Sequence, residues 1–136
     1  MRQILIATHS NLADGFLASM KYFLTDISNI TVINAFTKDN NIEKTISDYF
    51  ETHKNDEIIA FTDIYFGSIN QILSRYFGKE DYHLITGTNL PVLLEILTKP
   101  SDQKLSSEEI DQMITKCKES IIYMNTYKTE SGDDDE

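Results

Sequence analysis

The sequence predicts an α/β fold, a three-layer sandwich of helices around a mostly parallel central sheet. Three observations point to it. Residues 3–8 and 57–62 are near-continuous apolar runs, the pattern of strands buried on both faces. The strand-like stretches are followed by stretches with apolar residues at helical spacing. The two kinds alternate along the chain, with no internal repeat and no interdomain linker, which is the signature of crossover connections between parallel strands.

Residues 3–8 are expected to form the first strand, ending at Thr8. The polar His9, Ser10 and Asn11 follow as a short loop with helix-capping residues. Leu12, Ala13, Phe16, Leu17, Met20, Phe23 and Leu24 then mark a helix, with Gly15 inside it at some loss of propensity and so suggesting close packing on the sheet. Residues 30–36 read as strand two. A polar turn at 38–41 leads to a helix that turns Ile42, Ile46, Tyr49 and Phe50 inward. Strand three, residues 57–62, stops at Asp63. Ser68 opens a helix with Ile69, Ile72, Leu73, Tyr76 and Phe77 on one side.

Strand four covers residues 82–86 and closes at Gly87. Asn89 caps the next helix, with Pro91 in its first turn, where the missing N–H is tolerated. That helix carries Leu93, Leu94 and Leu97 and stops at Lys99-Pro100. Ser106 and Glu109 have the spacing of a capping box and introduce a last helix through Lys118. Residues 120–127 are β-rich and read as a C-terminal strand. The expectation is one domain over 1–128, then an acidic, disordered tail over 129–136.

Bulk properties exclude several functions. The net charge of −10 includes five acids in the final stretch, leaving about −5 on the rest. That argues against nucleic-acid binding, which shows a basic patch. No apolar run approaches the ~18 residues that span a bilayer, and residues 1–6 open a strand rather than a signal peptide. The expected location is the cytoplasm. Cys117, the one cysteine, cannot form an internal disulfide and reads as a buried hydrophobe on the last helix.

In sheets of this kind, ligand chemistry lies beyond the carboxyl ends of the strands, at the point where the strand order reverses. Taken in the order 2-1-3-4, which the sequence alone does not fix, strands one and three are neighbours and end at His9 and Asp63. An imidazole is a competent nucleophile near neutral pH, and a helix start just beyond it suits phosphate. Asp63 is placed to accept from Nδ1 and leave Nε2 to attack, the orienting role of a triad carboxylate. Gly67 and Ser68 offer a small backbone and a hydroxyl to phosphoryl oxygens, and Thr8 and Ser10 flank the histidine as further donors. Each has a plainer reading: His9 as a polar loop residue, Asp63 as a loop cap, Ser68 and Asn89 as N-caps. His53 and His83 read as structural or solvated.

A resemblance sharpens this picture. Ile4-Leu5-Ile6-Ala7-Thr8-His9-Ser10, followed by Leu12-Ala13-Asp14-Gly15-Phe16-Leu17, resembles the opening of mannose-type enzyme IIA domains of the sugar phosphotransferase system. Phe61-Thr62-Asp63-Ile64-Tyr65-Phe66-Gly67-Ser68 resembles their aspartate followed by a Gly-Gly-Ser turn, and Thr86-Gly87-Thr88-Asn89-Leu90-Pro91 their Gly-x-Asn-Leu-Pro helix start. The resemblance spans roughly residues 1–127. It implies that His9 is the phosphorylated histidine, Asp63 its orienting aspartate and Ser68 the serine near the phosphoryl group. It implies the histidine-containing phosphocarrier protein as donor and a IIB component as acceptor. Membrane components IIC and IID would then be reached only indirectly, with no metal or diffusible cofactor. It also implies a homodimer exchanging a C-terminal strand, for which residues 121–127 are well placed. The chain departs from the pattern at Phe66, where the first glycine of the pair usually stands, and at Ile69, where proline commonly follows.

Three other readings compete. A phosphocarrier subunit of a dihydroxyacetone kinase resembles the same fold and also uses a histidine after strand one, although Asn89-Leu90-Pro91 favours sugar transport. A receiver-like domain phosphorylated on Asp63 would need Mg²⁺ and further carboxylates where Thr8, His9 and Ser10 stand. A non-catalytic dimeric binding protein of the same fold is the third reading, and the intact His9 and Asp63 speak against it.

Overall fold

The structure, a computed structural model, describes residues 1–24, 26–36 and 41–127. The expected acidic tail at 129–136 and most of the polar turn at 38–41 lie outside the described residues. Four strands, β1 (Arg2–His9), β2 (Ile30–Ala35), β3 (Glu57–Thr62) and β4 (Tyr82–Ile85), alternate with α1 (Leu12–Met20), α2 (Ile42–Thr52), α3 (Ser68–Ser74) and α4 (Leu90–Ile96). A fifth helix, α5 (Ser107–Lys118), follows. The strands are all parallel in the order β2-β1-β3-β4, as the sequence reading assumed.

The two faces of β1 show why the sheet is covered on both sides. Successive side chains of a strand point to opposite faces. Ile4 and Ile6 join the cluster with Ala13 and Met20 of α1, Leu93 and Ile96 of α4, and Ile110 and Met113 of α5. Leu5 and Ala7 join the cluster with Ile46 and Phe50 of α2 and with Ile69 and Leu73 of α3. All four β1 residues are at most 1% exposed, so the continuous apolar run is the mark of the central strand.

Side-chain caps form at three helices, at Asn89 and Ser106 as the sequence reading placed them and also at Asn41. The Asn41 side chain accepts from the Lys44 N–H at 3.1 Å and the Asn89 side chain from the Val92 N–H at 2.9 Å. Ser106 and Glu109 close both bonds of the capping box. At α1 the expectation fails. Asn11 makes no side-chain cap, and Thr8 instead accepts from the Ala13 N–H at 2.7 Å from within the strand. Gly15 does not serve close packing either, since a Cβ there would meet nothing within 4 Å.

α1 ends four residues before Leu24, leaving Tyr22 and Phe23 exposed. α3 ends at Ser74, so Phe77 lies outside it and is exposed, while Tyr76 stacks on Phe50 at 4.0 Å. At the amino end of the sheet, buried Arg2 and Glu57 pair at 2.7 Å. Lys99 and Gln103 carbonyls and the Leu105 N–H take their remaining polar groups, which is what buried charges require.

Cys117 is buried, and burial pushes its thiol pKa up, away from nucleophile chemistry. His53 meets Asp56 at 3.0 Å and His83 donates to the Leu105 carbonyl at 3.0 Å, both structural contacts.

The C-terminal stretch differs from the sequence reading. Residues 121–127 form no strand within the chain and leave α5 through turns. A strand needs a backbone partner, and none of the strands among the described residues takes it. Ile121, Tyr123 and Met124 are exposed, and β4 remains an edge strand of the sheet.

Candidate phosphoryl-transfer site

The parallel register brings the carboxyl ends of β1, β2 and β3 to one place. Ala7 pairs with Thr62 and His9 with Ala35, so Asp63, one residue past β3, comes beside His9 across 54 residues of sequence. The His9 N–H donates to Asp63 Oδ2 at 3.0 Å, and His9 Nδ1 lies 3.2 Å from each carboxylate oxygen. Asp63 Oδ1 also accepts from the Ile64 N–H at 3.0 Å. An ionised carboxylate can only accept. Nδ1 therefore carries the proton in this contact, and the neutral ring keeps its lone pair on Nε2.

Nε2 faces Gly67. A Cβ built on Gly67 would stand 3.5 Å from Nε2 and 3.6 Å from Cε1. Gly67 has φ 111° and ψ 174° and takes the N-cap position of α3, a conformation that glycine adopts almost alone. Ser68 is thus the first residue of α3 rather than its cap, and it is exposed beside Gly67. The His9 side chain is 35% exposed and that of Asp63 10%, so the imidazole is open to the surface while the carboxylate beside it is sheltered.

The flanking donors are placed differently from one another. Thr8 is fully buried and holds the start of α1, so its hydroxyl does not reach the open side of the ring. Ser10 is exposed, has a left-handed backbone at φ 56°, and donates its N–H to the Ala35 carbonyl at 2.8 Å.

Two residues at the site escaped the sequence reading. Asn70 donates to the carbonyls of Ile64 and Tyr65 at 3.0 and 2.6 Å, pinning the loop between Asp63 and Gly67. Thr62 Oγ1 lies 2.7 Å from both Asn70 Oδ1 and Thr86 Oγ1. One hydroxyl proton serves only one of these, so Thr86 donates in the second contact, and the set links β3, α3 and the end of β4. An asparagine inside a helix, where its propensity is poor, was the available signal. The other residue is Phe36, whose ring centroid lies 5.4 Å from that of His9.

Of the two departures in the second motif, Ile69 is buried on the inner face of α3 and belongs to the core. Phe66 is 71% exposed on the rim beside Gly67. Among the described residues, no group of three or more His, Cys, Asp or Glu side chains could hold a metal ion. No helix among the described residues is long and apolar enough to cross a membrane.

Residues 3–115 match the family model described as the PTS system fructose IIA component, of the mannose-type EIIA class. The chain belongs to this family. A phosphoenolpyruvate-dependent sugar PTS permease of Klebsiella pneumoniae subsp. pneumoniae superposes with a TM-score of 0.84 at 28% identity, over 92% of each chain. The EIIA component of Streptococcus agalactiae gives 0.78 at 24% identity, over 93% of this chain and 100% of that one. The mannose/sorbose-specific IIA subunit of Enterococcus faecalis gives 0.80 at 12%, over 94% and 98%. The last two carry the fold alone. No curated protein matches the sequence significantly. EIIA components are carriers of phosphotransferase systems, and the fold, with the strand order β2-β1-β3-β4, is the one this EIIA chain shares with its neighbours.

Proposed function

We propose that this IIA component is a cytoplasmic phosphoryl carrier, loaded on His9 by the histidine-containing phosphocarrier protein and unloaded by a IIB component that serves sugar uptake. The observation that carries the reading is the His9–Asp63 pair, with Nδ1 held at 3.2 Å from both carboxylate oxygens and Nε2 open over Gly67.

The chemistry is a pair of displacements. The Nε2 lone pair attacks the phosphorus of the donor phosphohistidine, the P–N bond of the donor breaks, and that electron pair returns to the donor imidazole. The Nδ1 proton stays on His9, and Asp63 stabilises the cationic character of the phosphorylated ring. In the second step the acceptor nucleophile takes the phosphoryl group and the P–Nε2 bond breaks. A covalent intermediate of this kind divides one transfer between distant proteins into two short ones. Gly67 leaves room for the arriving group, and the exposed Ser68 and Ser10 are placed to donate to its oxygens. Thr8 acts indirectly by fixing the start of α1. No step calls for a metal or diffusible cofactor.

The same reading includes a homodimer. The open edge of β4 and the exposed Ile121, Tyr123 and Met124 support exchange of the C-terminal segment with a second copy, which would pair the edge and cover these side chains. Sedimentation as a monomer at micromolar concentration would sink this part.

The direct test mixes the phosphorylated phosphocarrier protein with wild type and with His9→Ala, reading intact mass. One acid-labile phosphoryl group on wild type alone is the expected result. No gain on wild type from an active donor would end the carrier reading.

A further inference from the structure

Phe36 lies at the site, yet neither the motifs nor the proposed chemistry uses it. It follows Ala35, the β2 partner of His9 in the sheet. Its ring is inclined by 36° to the imidazole, with centroids 5.4 Å apart. Its backbone is left-handed at φ 64°, where a bulky aromatic residue is a genuine outlier. The residue is also 57% exposed, so burial of the ring does little to offset that strain. The bond from the Ser10 N–H to the Ala35 carbonyl ties the ends of β1 and β2 together directly before Phe36. Strain held in place beside a reactive group, without a packing gain to account for it, points to function.

We propose that Phe36 is a positioning residue for His9; this rests on the reading of His9 as the phosphoryl acceptor. The contact with Asp63 fixes the tautomer and one edge of the imidazole. It leaves the ring free to tilt about the line from Nδ1 to the carboxylate. The phenyl ring limits that tilt and keeps Nε2 directed over Gly67, so less orientation is left to be found when a donor arrives. The left-handed turn is what brings the side chain back onto His9 from the end of the neighbouring strand.

The test uses a small phosphoryl donor, potassium phosphoramidate, so that no partner surface is involved, with Phe36→Gly and Phe36→Tyr beside wild type. Glycine suits a left-handed φ, so Phe36→Gly should fold and melt no lower than wild type. It should take phosphate on His9 more slowly by on the order of 2- to 10-fold, the usual worth of an aromatic ring contact expressed as a rate. Phe36→Tyr should restore the rate. Long-range ¹H–¹⁵N spectra supply a readout that a merely structural role would not move. In wild type the neutral His9 ring should show the Nδ1–H tautomer with ring-current-shifted carbon-bound protons. In Phe36→Gly the ring-current shifts go with the phenyl ring whatever its role; the deciding sign is that the Nδ1–H tautomer, fixed by Asp63, persists while the His9 ring resonances broaden as the ring tilts. Wild-type rates and wild-type His9 linewidths in Phe36→Gly would overturn the proposal, as would Phe36→Tyr being as slow as Phe36→Gly. If wild type takes phosphate from phosphoramidate but not from the phosphocarrier protein, the carrier reading falls, and the small-donor rates still decide the role of Phe36.

Discussion

Gly67→Ala separates the strain at the site from its chemistry. At φ 111° and ψ 174° an alanine is held in a region where L-residues rarely sit, at about 1–3 kcal/mol if the backbone does not move. A protein of this size is stabilised by roughly 10 kcal/mol, so the variant stays folded at 25 °C. The added methyl would stand 3.5 Å from Nε2 and 3.6 Å from Cε1, which is ordinary contact for the resting ring. It is a different matter for the phosphorylated ring of the proposed carrier, because the methyl touches the atom that forms the new bond in the proposed transfer. A misplacement of about 1 Å at a reacting centre lowers rates on the order of 100-fold, and that is the loss expected in phosphoryl acceptance. Urea titration gives the stability change, read at unchanged m-value, and quench-flow gives the rate on the same preparation. Gly15→Ala is the control: its Cβ meets nothing within 4 Å, so it should gain up to about 1 kcal/mol in α1 with no change in rate. The reasoning is refuted if Gly67→Ala accepts phosphate at the wild-type rate, or if its stability matches wild type within about 0.5 kcal/mol.

Three further outcomes follow from the same geometry. Asp63→Asn should accept phosphate slowly rather than not at all, since it disturbs the tautomer while the nucleophile remains; equal rates would remove the orienting role. Tyr49→Phe should raise stability by about 1 kcal/mol in urea titration, because the Tyr49 hydroxyl is buried with no hydrogen-bond partner among the described residues. The Asp56 carboxyl is held below its ordinary pKa, first by the hydrogen bond with His53. A lowered carboxylate pKa stabilises the fold above the ordinary carboxylate range, and that share is lost as pH falls through the lowered value. Asp56→Asn should therefore cost a few tenths of a kcal/mol at pH 7 at this partly exposed position, and the difference from wild type should shrink towards zero in acid melts. A deficit that persists unchanged below pH 3 would contradict this.

The sequence by itself determined the elements and the two apolar layers, because burial writes a local period into the chain. Leu5 and Ala7 alternating with Ile4 and Ile6, and the caps at Asn89 and Ser106, need only their neighbours to be read. It also placed His9 and Asp63 at strand ends, and its three motifs placed the family. Tertiary structure decided what depends on partners distant in sequence. The strand order set His9 beside Asp63, and parallel pairing brought Ala35, and with it Phe36, to the same edge. Asn70 meets its loop carbonyls because the packing of α3 on the sheet carries it to the loop after β3. Thr8 rather than Asn11 holds α1, because the strand carries its hydroxyl to the helix start. The C-terminal segment, β-rich as it is, makes no strand in the single chain, since a strand exists only where another backbone meets it. Local sequence sets which groups must be buried; three-dimensional pairing sets which groups meet, and the contact of His9 with Asp63 belongs to the second.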